Sequence, residues 1–214
     1  MSGLDRDTVL ARLALAPRPG WRRSAAEAGG AAIRGDHDLN PDLLPQGQRL
    51  TPAAVLVGLV ERPGGLTVLL TLRTDHLDDH AGQVSFPGGR TDPGDADAEA
   101  TALREAEEEI GLARHLVRPI ARLDTYLTRT GFEVTPVVAL VTPPPAFALD
   151  PVEVAAVFEV PLAHAALAAN YQRESRLWQG RERHFYVLPW QDHYIWGATA
   201  GMLVNLAELL GGER

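Results

Sequence analysis

Residues 104–112 read REAEEEIGL, and this stretch decides how the rest of the chain is interpreted. An α-helix turns by about 100° per residue, so side chains three and four positions apart lie on one side of it. That spacing brings Glu105, Glu108 and Glu109 together, opposite the apolar side chains of the same stretch. Glu107 lies nearer the apolar side and is expected to point away from the other three. The stretch therefore predicts an amphipathic helix with three clustered carboxylates on its polar side.

The three carboxylates are unfavourable neighbours unless a cation joins them. Like charges at this spacing repel by roughly a few tenths of a kcal/mol per pair, and the carboxyl end of a helix disfavours anions by a similar amount. A bound Mg²⁺ or Mn²⁺ would reverse both effects, because such cations prefer carboxylate oxygens. Arg104 lies one turn before Glu108 and could hold a carboxylate in a fixed orientation. Taken alone, however, a glutamate-rich stretch is more often a solvated helix face than a metal site.

A glycine-containing stretch, SFPGGR at residues 85–90, precedes the helix by about fifteen residues. Two consecutive glycines allow the backbone to approach a ligand or metal closely, because no β-carbon blocks it. The carbonyl oxygen of Gly89 could therefore serve as a metal ligand. Pro-Gly-Gly alone is more often a simple turn, so the informative feature is the order of the two stretches along the chain.

That order resembles the Nudix box. The usual box runs Gly, five residues, Glu, seven residues, then Arg-Glu-hydrophobic-x-Glu-Glu-x-Gly-hydrophobic; here Gly89 opens it and residues 104–112 close it. This chain is one residue longer between the two parts, and Asp95 stands where the first glutamate is expected. The departure resembles the coenzyme A pyrophosphatase branch, in which Gly-Gly-x-x-Asp-Pro-x-Asp commonly occupies this place. Residues 88–95 read GGRTDPGD.

An upstream signature of the same branch is also similar to this chain. The branch has Leu-Leu-Thr-x-Arg-Ser, then an arginine, a glycine and Phe-Pro-Gly-Gly at fixed spacing; residues 69–74 read LLTLRT and residues 86–89 read FPGG. Thr74 replaces the serine, which is a mild change, whereas Asp78 replaces the arginine and reverses its charge. If relatives use that arginine to contact a phosphate of coenzyme A, the aspartate at position 78 affects which substrate this chain can bind.

The resemblance covers about residues 53–208 and implies the Nudix α/β/α sandwich, a mixed β-sheet flanked by helices. The hydrophobic pattern favours a mixed sheet as well, because predicted strands outnumber helices and do not alternate strictly with them. Strands are predicted at residues 53–60, 66–72, 84–86, 120–127, 134–141, 155–160 and 184–188, and helices at 98–110 and 197–210. We divide the chain into a partly irregular N-terminal extension, residues 1–50, and a Nudix hydrolase domain, residues 51–214.

The resemblance implies a reaction, the hydrolysis of a diphosphate linked to a second moiety. Glu105 and Glu109 are the first expected metal ligands, and the carbonyl of Gly89 is a further candidate. Glu108 is expected to share metal binding or to activate water, with Arg104 beside it in the catalytic centre. The expected cofactor is Mg²⁺ or Mn²⁺, which would neutralise the diphosphate, orient it and lower the pKa of the attacking water.

Three hypotheses about function remain open at this point. The first is a pyrophosphatase acting on coenzyme A or its acyl derivatives, with 3′,5′-ADP and 4′-phosphopantetheine or its acyl form as products. The second is a Nudix hydrolase acting on another nucleoside diphosphate, such as ADP-ribose or a dinucleotide. The third is a non-catalytic ligand-binding Nudix domain. The intact set of Arg104 and three glutamates argues against the third, because a site that only binds needs no such set.

The residues expected to contact the substrate lie mainly around the glycine stretch. They are Arg73, His80, Phe86, Gly88 and Arg90. His80 ranks above His76, since His-x-Gly-Gln before Phe-Pro-Gly-Gly recurs in the family. Two further candidates compete with ordinary surface roles: Glu153 as a metal ligand or base, and Arg129 as a residue that reaches the pocket.

The composition limits the remaining functions. The chain has 214 residues, a formal net charge of −8 and no cysteine. The charge disfavours broad affinity for nucleic acid, which requires a basic surface, and the missing cysteines exclude disulfides and thiolate metal sites. No apolar run approaches the roughly 18 to 20 residues of a membrane span, and no signal peptide is recognised. We expect a cytoplasmic enzyme with a small-molecule diphosphate substrate and no membrane partner. A homodimer, on which ordering of the extension could depend, stays open.

Overall fold

In the computed structural model, the larger of the two β-sheets carries helices on both faces. The structure describes residues 4–15, 33–44, 47, 49–76, 81–144, 146–178 and 180–211. The helices are α1 Arg6–Leu15, α2 Ala98–Ile110, α3 Leu162–Ala165 and α4 Gly197–Leu209. The strands are β1 Arg34–Gly35, β2 Thr51–Arg62, β3 Gly65–Arg73, β4 Val84–Ser85, β5 Gly88–Arg90, β6 Val117–Arg122, β7 Tyr126–Leu127, β8 Phe132–Val141, β9 Val154–Pro161, β10 Gln172–Trp178, β11 Arg181–Trp190 and β12 His193–Trp196.

The larger sheet combines parallel and antiparallel strand pairs. Among the described residues it has nine strands, whose path runs β1-β7-β8-β2-β3-β4, with β5 added to β2, β6 to β8 and β9 to β3. The central pair, β2 and β8, is parallel from Thr51 opposite Phe132 to Val60 opposite Val141. The predicted mixed sheet flanked by helices is confirmed. The smaller sheet is antiparallel, in the order β10-β11-β12.

Two clusters of buried apolar side chains lie on opposite faces of the larger sheet. Helix α2 packs Ala102, Ala106 and Ile110 with Ala54 and Leu56 of β2 on the face that we call the α2 face. Side chains of α1, α4 and the smaller sheet cover the other face, which we call the α4 face. Because side chains alternate along a strand, consecutive residues of one strand reach different faces. Neighbouring residues of the glycine loop are therefore also directed to different faces.

Helix α2 begins and ends where its sequence predicts. The side chain of Asp97 accepts a hydrogen bond of 2.9 Å from the backbone N–H of Ala100, which satisfies a free donor of the first turn. Gly111 follows the last turn with φ of 65°, the left-handed conformation that glycine adopts at low cost. The boundaries at residues 98–110 therefore hold, and the polar side of the helix is placed against the glycine stretch.

Several strand predictions are corrected by the structure. The strand predicted over residues 120–127 is split into β6 and β7, and the ladder of β6 is already irregular after Pro119, which has no N–H to donate. Strands β10 and β12 are not predicted by the sequence. Strand β10 is exposed along almost its whole length, so it lacks the apolar alternation by which a strand is recognised.

Part of the N-terminal extension belongs to the hydrophobic core. Val9 and Leu13 of α1 are buried in the cluster on the α4 face, and Arg34 pairs with Tyr126 as β1 joins the sheet. The amide of Asn40 donates to the carbonyl of His184 at 2.8 Å, and its oxygen accepts from the N–H of the same residue. These contacts connect the extension to β7 and β11. Within the residues described, no helix combines the length and apolar character needed to cross a membrane.

Candidate catalytic site

The glycine loop lies directly against β2. Gly88 has φ of 155°, and a β-carbon built there would clash with the carbonyl oxygen of Ala54 and lie 2.6 Å from the Cα of Val55. Strand β5 also pairs with β2, Gly89 standing opposite Ala54. Only a residue without a side chain fits at position 88, so the loop backbone is held close to the sheet.

Two glutamates of α2 reach this loop from the other side. The backbone N–H of Gly88 donates to Oε2 of Glu109 at 3.2 Å. A β-carbon added to Gly89 would lie 2.5 Å from Oε1 of Glu105, so the carboxylate occupies the space that a side chain would fill. The exposed fraction of Glu109 is 5%, and the side chain of Glu105 is 16% exposed. The two carboxylates therefore stand side by side, largely shielded from solvent, at the glycine backbone.

Arg104 organises the carboxylates around it. Its Nε and Nη2 donate to the two oxygens of Asp95 at 3.1 and 2.9 Å. Its Nη1 donates to Glu105 at 3.0 Å and to Glu108 at 2.9 Å, and Nη2 also reaches the carbonyl of Arg90 at 3.0 Å. The guanidinium thus joins the glycine loop to the helix, and the hydrogen bonds from Arg104 hold the pKa of Asp95 well below its usual range.

Burial disfavours the charged forms of the two inner carboxylates. It raises the pKa of Glu109 to about 8, and the charges of Glu105 and Glu153 act in the same direction. The N–H of Gly88 and the positive charge of Arg73 lower the pKa of Glu109 but do not offset burial. Burial also raises the pKa of Glu105, against the opposing hydrogen bond from Arg104. The site therefore holds more buried negative charge than its own cations neutralise.

Glu108 occupies a different environment from its two neighbours. Its side chain is 59% exposed and pairs with Arg104 at the solvent edge of the site. Glu107 points elsewhere, to an ion pair of 2.8 Å with Arg114. Among the described residues, no group of three or more histidine, aspartate and glutamate side chains is close enough together to hold a metal ion. The expected cluster of three is thus an inner pair at the glycine backbone with one outer carboxylate at the solvent edge.

The donor atoms at the glycine loop fit a divalent cation. Glu105 and Glu109 supply carboxylate oxygens beside the backbone of Gly88 and Gly89, and the carbonyl oxygen of Gly89 stays a predicted third ligand. Oxygen donors of this kind suit Mg²⁺ and Mn²⁺. A cation here would also remove the electrostatic cost of the inner pair, which is shown by the raised pKa of Glu109.

The structure distributes the expected substrate-contacting residues over different surroundings. Arg73 ends β3, close enough to lower the pKa of Glu109, and its Nε is buried without a hydrogen-bond partner. Phe86 is 2% exposed and packs in the cluster on the α4 face, and its contact with substrate stays a prediction. Glu153 lies near the inner carboxylates and raises their pKa values. His80 and Asp78 lie outside the described residues.

Arg90 and Arg129 lie away from the inner carboxylates. The guanidinium of Arg90 stands over the ring of Phe132, 5.5 Å from its centroid. That of Arg129 stands over Trp178 at 5.1 Å. The sequence does not predict a role for Trp178. It ends the stretch QRESRLW of β10, in which two arginines precede the tryptophan and the apolar pattern of a core strand is missing.

The mixed sheet, the carboxylate helix and the glycine loop together define a class of hydrolases that act on pyrophosphate bonds. The model of the NUDIX domain family matches residues 49–188. This match spans more than half of the chain, and the protein belongs to the Nudix family. Nudix hydrolases generally need divalent metal ions, in agreement with the oxygen donors at the loop.

Several known proteins are similar to this chain. A Nudix hydrolase of Escherichia coli K12 named NudL, described as uncharacterized, is 42% identical over 160 residues, which cover 74% of this chain and 82% of the relative. NudL of Yersinia pestis is 40% identical over 156 residues, covering 73% of this chain and 78% of the relative. Among solved structures, an Ap4A hydrolase of C. elegans is 22% identical and has a TM-score of 0.45, covering 51% of this chain and 80% of that chain.

Proposed function

We propose that this protein hydrolyses the diphosphate of coenzyme A or its acyl derivatives in the cytoplasm, with Mg²⁺ or Mn²⁺ as cofactor. The products are 3′,5′-ADP and 4′-phosphopantetheine or its acyl form. The supporting observation is the two-point contact between Asp95 and Arg104. Asp95 belongs to the segment that resembles the coenzyme A branch, and in this proposal its contact keeps the arginine of the helix in position.

In this proposal Glu105, Glu109 and the carbonyl of Gly89 hold the cation. A cation held there would supply positive charge to neutralise the diphosphate and to lower the pKa of the attacking water. The protein contributes a fixed geometry: the N–H of Gly88 orients Glu109, and Arg104 orients Glu105. Arg73 adds a positive charge beside the inner pair. A diphosphate at this position would therefore meet cationic groups on the loop side and on the β3 side.

Glu108 is our proposed general base. It is the one glutamate of the three that remains largely exposed, so water reaches it, and Arg104 fixes its carboxylate. In the reaction a water oxygen attacks a phosphorus atom of the diphosphate, the bond to the bridging oxygen breaks, and Glu108 accepts the proton from water. The bridging oxygen leaves with the second phosphate as a phosphomonoester.

A substrate panel tests the proposal. We expect coenzyme A and acetyl-coenzyme A to be cleaved with a higher kcat/KM than ADP-ribose or diadenosine tetraphosphate, in Mg²⁺ or Mn²⁺ and with products separated by chromatography. Preferred cleavage of ADP-ribose or of the dinucleotide would overturn the substrate assignment. It would leave the hydrolase assignment in place.

A Glu109→Gln variant tests the metal site. We expect its turnover to fall by a factor on the order of 100 to 1,000, while the amide keeps the hydrogen bond from Gly88 and the fold. Glu107→Gln is the matched control, because it makes the same change on the same helix at a residue that pairs with Arg114. Near wild-type turnover of Glu109→Gln would remove Glu109 from the metal site.

The charge reversal at position 78 is tested by restoring the arginine of the branch signature. If the arginine of the branch signature contacts a phosphate of coenzyme A, Asp78→Arg should lower the KM for coenzyme A and leave kcat nearly unchanged. An unchanged KM would show that this position does not determine the substrate.

A further inference from the structure

Three arginines are held by aromatic rings. In the part of the chain that the structure describes, Arg90, Arg129 and Arg176 each lie over at least one ring, and none of them forms an ion pair with a carboxylate. Eight other described arginines do pair with carboxylates: Arg6, Arg34, Arg62, Arg104, Arg114, Arg122, Arg181 and Arg183. A guanidinium held by a ring keeps its N–H donors available, whereas one held by a carboxylate has spent some of them.

Arg90 connects this set to the catalytic loop. It follows Gly89, and because side chains alternate along β5 it reaches the opposite face of the sheet from Glu105. Its strand partner is Ala53, a residue of the cluster on the α4 face. The ring beneath it, Phe132, starts β8. A substrate that lies across the loop would therefore have one end at the inner carboxylates and the other at Arg90.

Arg129 extends the set beyond β8. It precedes Phe132 by three residues, in a turn that Thr128 stabilises by accepting a hydrogen bond of 3.0 Å from the N–H of Phe132. The N–H of Arg129 itself donates to Asp36 at 2.8 Å, which fixes the backbone of the turn. Its guanidinium covers Trp178, which is 50% exposed at the end of β10. The indole thus leaves a large part of its surface open to a ligand.

Arg176 lies two residues before Trp178 and on the same face of β10. Its guanidinium is 5.7, 5.8 and 5.4 Å from the ring centroids of Phe185, Tyr194 and Trp196. Three rings around one cation define its position closely. The nearest acidic side chain on this strand, Glu174, is instead bound to the hydroxyl of Tyr194 at 2.7 Å.

Arg90 and Arg129 are connected through the turn that ends at Phe132, and Arg129 and Arg176 are connected through β10, which ends at Trp178. Strands β5, β2 and β8 are neighbours, so Arg90 and the start of β8 are separated by about two strand spacings, roughly 10 Å. A narrow, solvent-open cleft is lined by residues that include Asp36, Tyr126, Phe185 and Gly197. Asp36 contacts Arg129, and Phe185 contacts Arg176. The backbone of Arg129 and the guanidinium of Arg176 therefore each contact a residue that lines this cleft.

We propose that Arg90, Arg129 and Arg176 bind the phosphorylated nucleoside half of the substrate, with Trp178 stacking on its base. Available guanidinium donors suit phosphate oxygens, and an exposed indole suits a nucleobase. The net charge of −8 makes a local group of unpaired cations selective for a small anion over a long nucleic acid. The proposal rests on the proposed function for the identity of the substrate, since 3′,5′-ADP carries a phosphate at each end of its ribose.

Binding of adenosine 3′,5′-bisphosphate to the metal-free protein tests the proposal without turnover. We expect Arg129→Gln, Arg176→Gln and Trp178→Ala each to raise the Kd about tenfold in calorimetric titrations, the effect of one lost charged hydrogen bond or one lost stacking contact. Arg114→Gln is the control, because it removes the same charge at an ion pair with Glu107. Since Arg176 supports three rings, Arg176→Lys is included, and thermal unfolding verifies that each variant is folded. The lysine variant should lie between wild type and Arg176→Gln.

The outcomes separate this proposal from the proposed function. Variants that bind the bisphosphate within twofold of wild type would overturn it, even if coenzyme A is hydrolysed. Weaker binding in the variants would support it, even if coenzyme A proves a poor substrate. A change in sedimentation of Trp178→Ala at unchanged nucleotide affinity would also overturn it, because the indole would then serve an interface between protein molecules.

Discussion

Burial and cation binding favour different protonation states of Glu109. Its carboxylate is almost completely buried, which favours the neutral acid, whereas binding of a cation requires the charged form. The single N–H of Gly88 and the positive charge of Arg73 do not restore its ordinary pKa. In the metal-free protein a proton therefore occupies the position that a cation would take, and the two compete.

The stability of the metal-free protein should depend on this proton. The pKa of Glu109 is about 8 in the folded chain, against an ordinary value of 4.5. Because the folded state binds the proton more tightly, its contribution is complete below pH 4.5 and is lost as the pH rises through about 8. At about 1.4 kcal/mol per pKa unit, the loss amounts to a few kcal/mol.

Thermal unfolding in EDTA between about pH 5 and pH 9 measures this contribution. We expect the Tm of the wild type to fall relative to that of Glu109→Gln as the pH rises, because the glutamine cannot ionise. Parallel curves for the two proteins would contradict the assignment of the proton to Glu109. Added Mn²⁺ should reduce the difference at high pH, where the cation replaces the proton.

A methyl group at position 89 should disturb catalysis more than folding. The β-carbon of Gly89→Ala would lie 2.5 Å from the end of the flexible side chain of Glu105, so the carboxylate must move. A displacement of about 1 Å can cost on the order of 100-fold in rate, and we expect a loss of that size in kcat with little change in Tm. Gly94→Ala is the control, since nothing lies within 4 Å of its added carbon. Equal activity of the two variants would show that Glu105 need not approach the loop.

At the scale of elements, the loop and helix α2 act as one unit through Arg104. The guanidinium binds Asp95 and the carbonyl of Arg90 on the loop side and two glutamates on the helix side. Oδ2 of Asp95 also accepts a hydrogen bond of 3.0 Å from the backbone N–H of Asp92. The Asp95 carboxylate is therefore fixed both to the backbone of its own loop and to Arg104.

Removal of the Asp95 carboxylate should loosen this unit. We expect Asp95→Asn to lower kcat about tenfold, because a charged two-point contact becomes a neutral contact with fewer acceptors. Asp92→Asn is the control, because the side chain of Asp92 is 65% exposed and its oxygen lies 4.0 Å from Arg104, too far for a hydrogen bond. A kcat for Asp95→Asn equal to that of Asp92→Asn would show that Asp95 does not position the arginine.

The same elements show how far local sequence determines structure. Helix α2 could be predicted to the residue, because Asp97 and Gly111 are local signals for its two ends. The different surroundings of Glu105, Glu109 and Glu108 could not be predicted in this way. All three share a helix face, and their different exposures come from the loop and from Arg104 rather than from the spacing on the helix.

At the scale of the whole molecule, helix α1 (residues 6–15) is part of the hydrophobic core and not only a surface element. Leu13 is 4% exposed in the cluster on the α4 face. We expect Leu13→Ala to lower the free energy of unfolding by about 2 to 4 kcal/mol, measured by urea denaturation. Ala14→Ser on the exposed side of the same helix is the control. Equal stability of the two variants would show that the packing of α1 does not stabilise the fold.

Long-range convergence is also why the arginine set was not predicted as a whole. Arg90, Arg129 and Arg176 come from three separate parts of the chain, and only the pairing of β5, β2 and β8 with the placement of β10 connects them. Arg90 and Arg129 were candidates on local grounds, whereas nothing in the pattern around Arg176 marks a strand. Information of this kind is carried by the topology and not by any single segment.

The contact of α1 with the other end of the described chain has a consequence for biosynthesis. Arg12 donates to the carbonyl of Leu210, a separation of 198 residues. Ribosomes add about 5 to 20 residues per second, so about 10 to 40 seconds pass between the synthesis of the two partners. During that interval Val9 and Leu13 lack the side chains of α4 that cover them in the native core. The apolar side of α1 therefore stays incompletely covered until the residues of α4 have been synthesised.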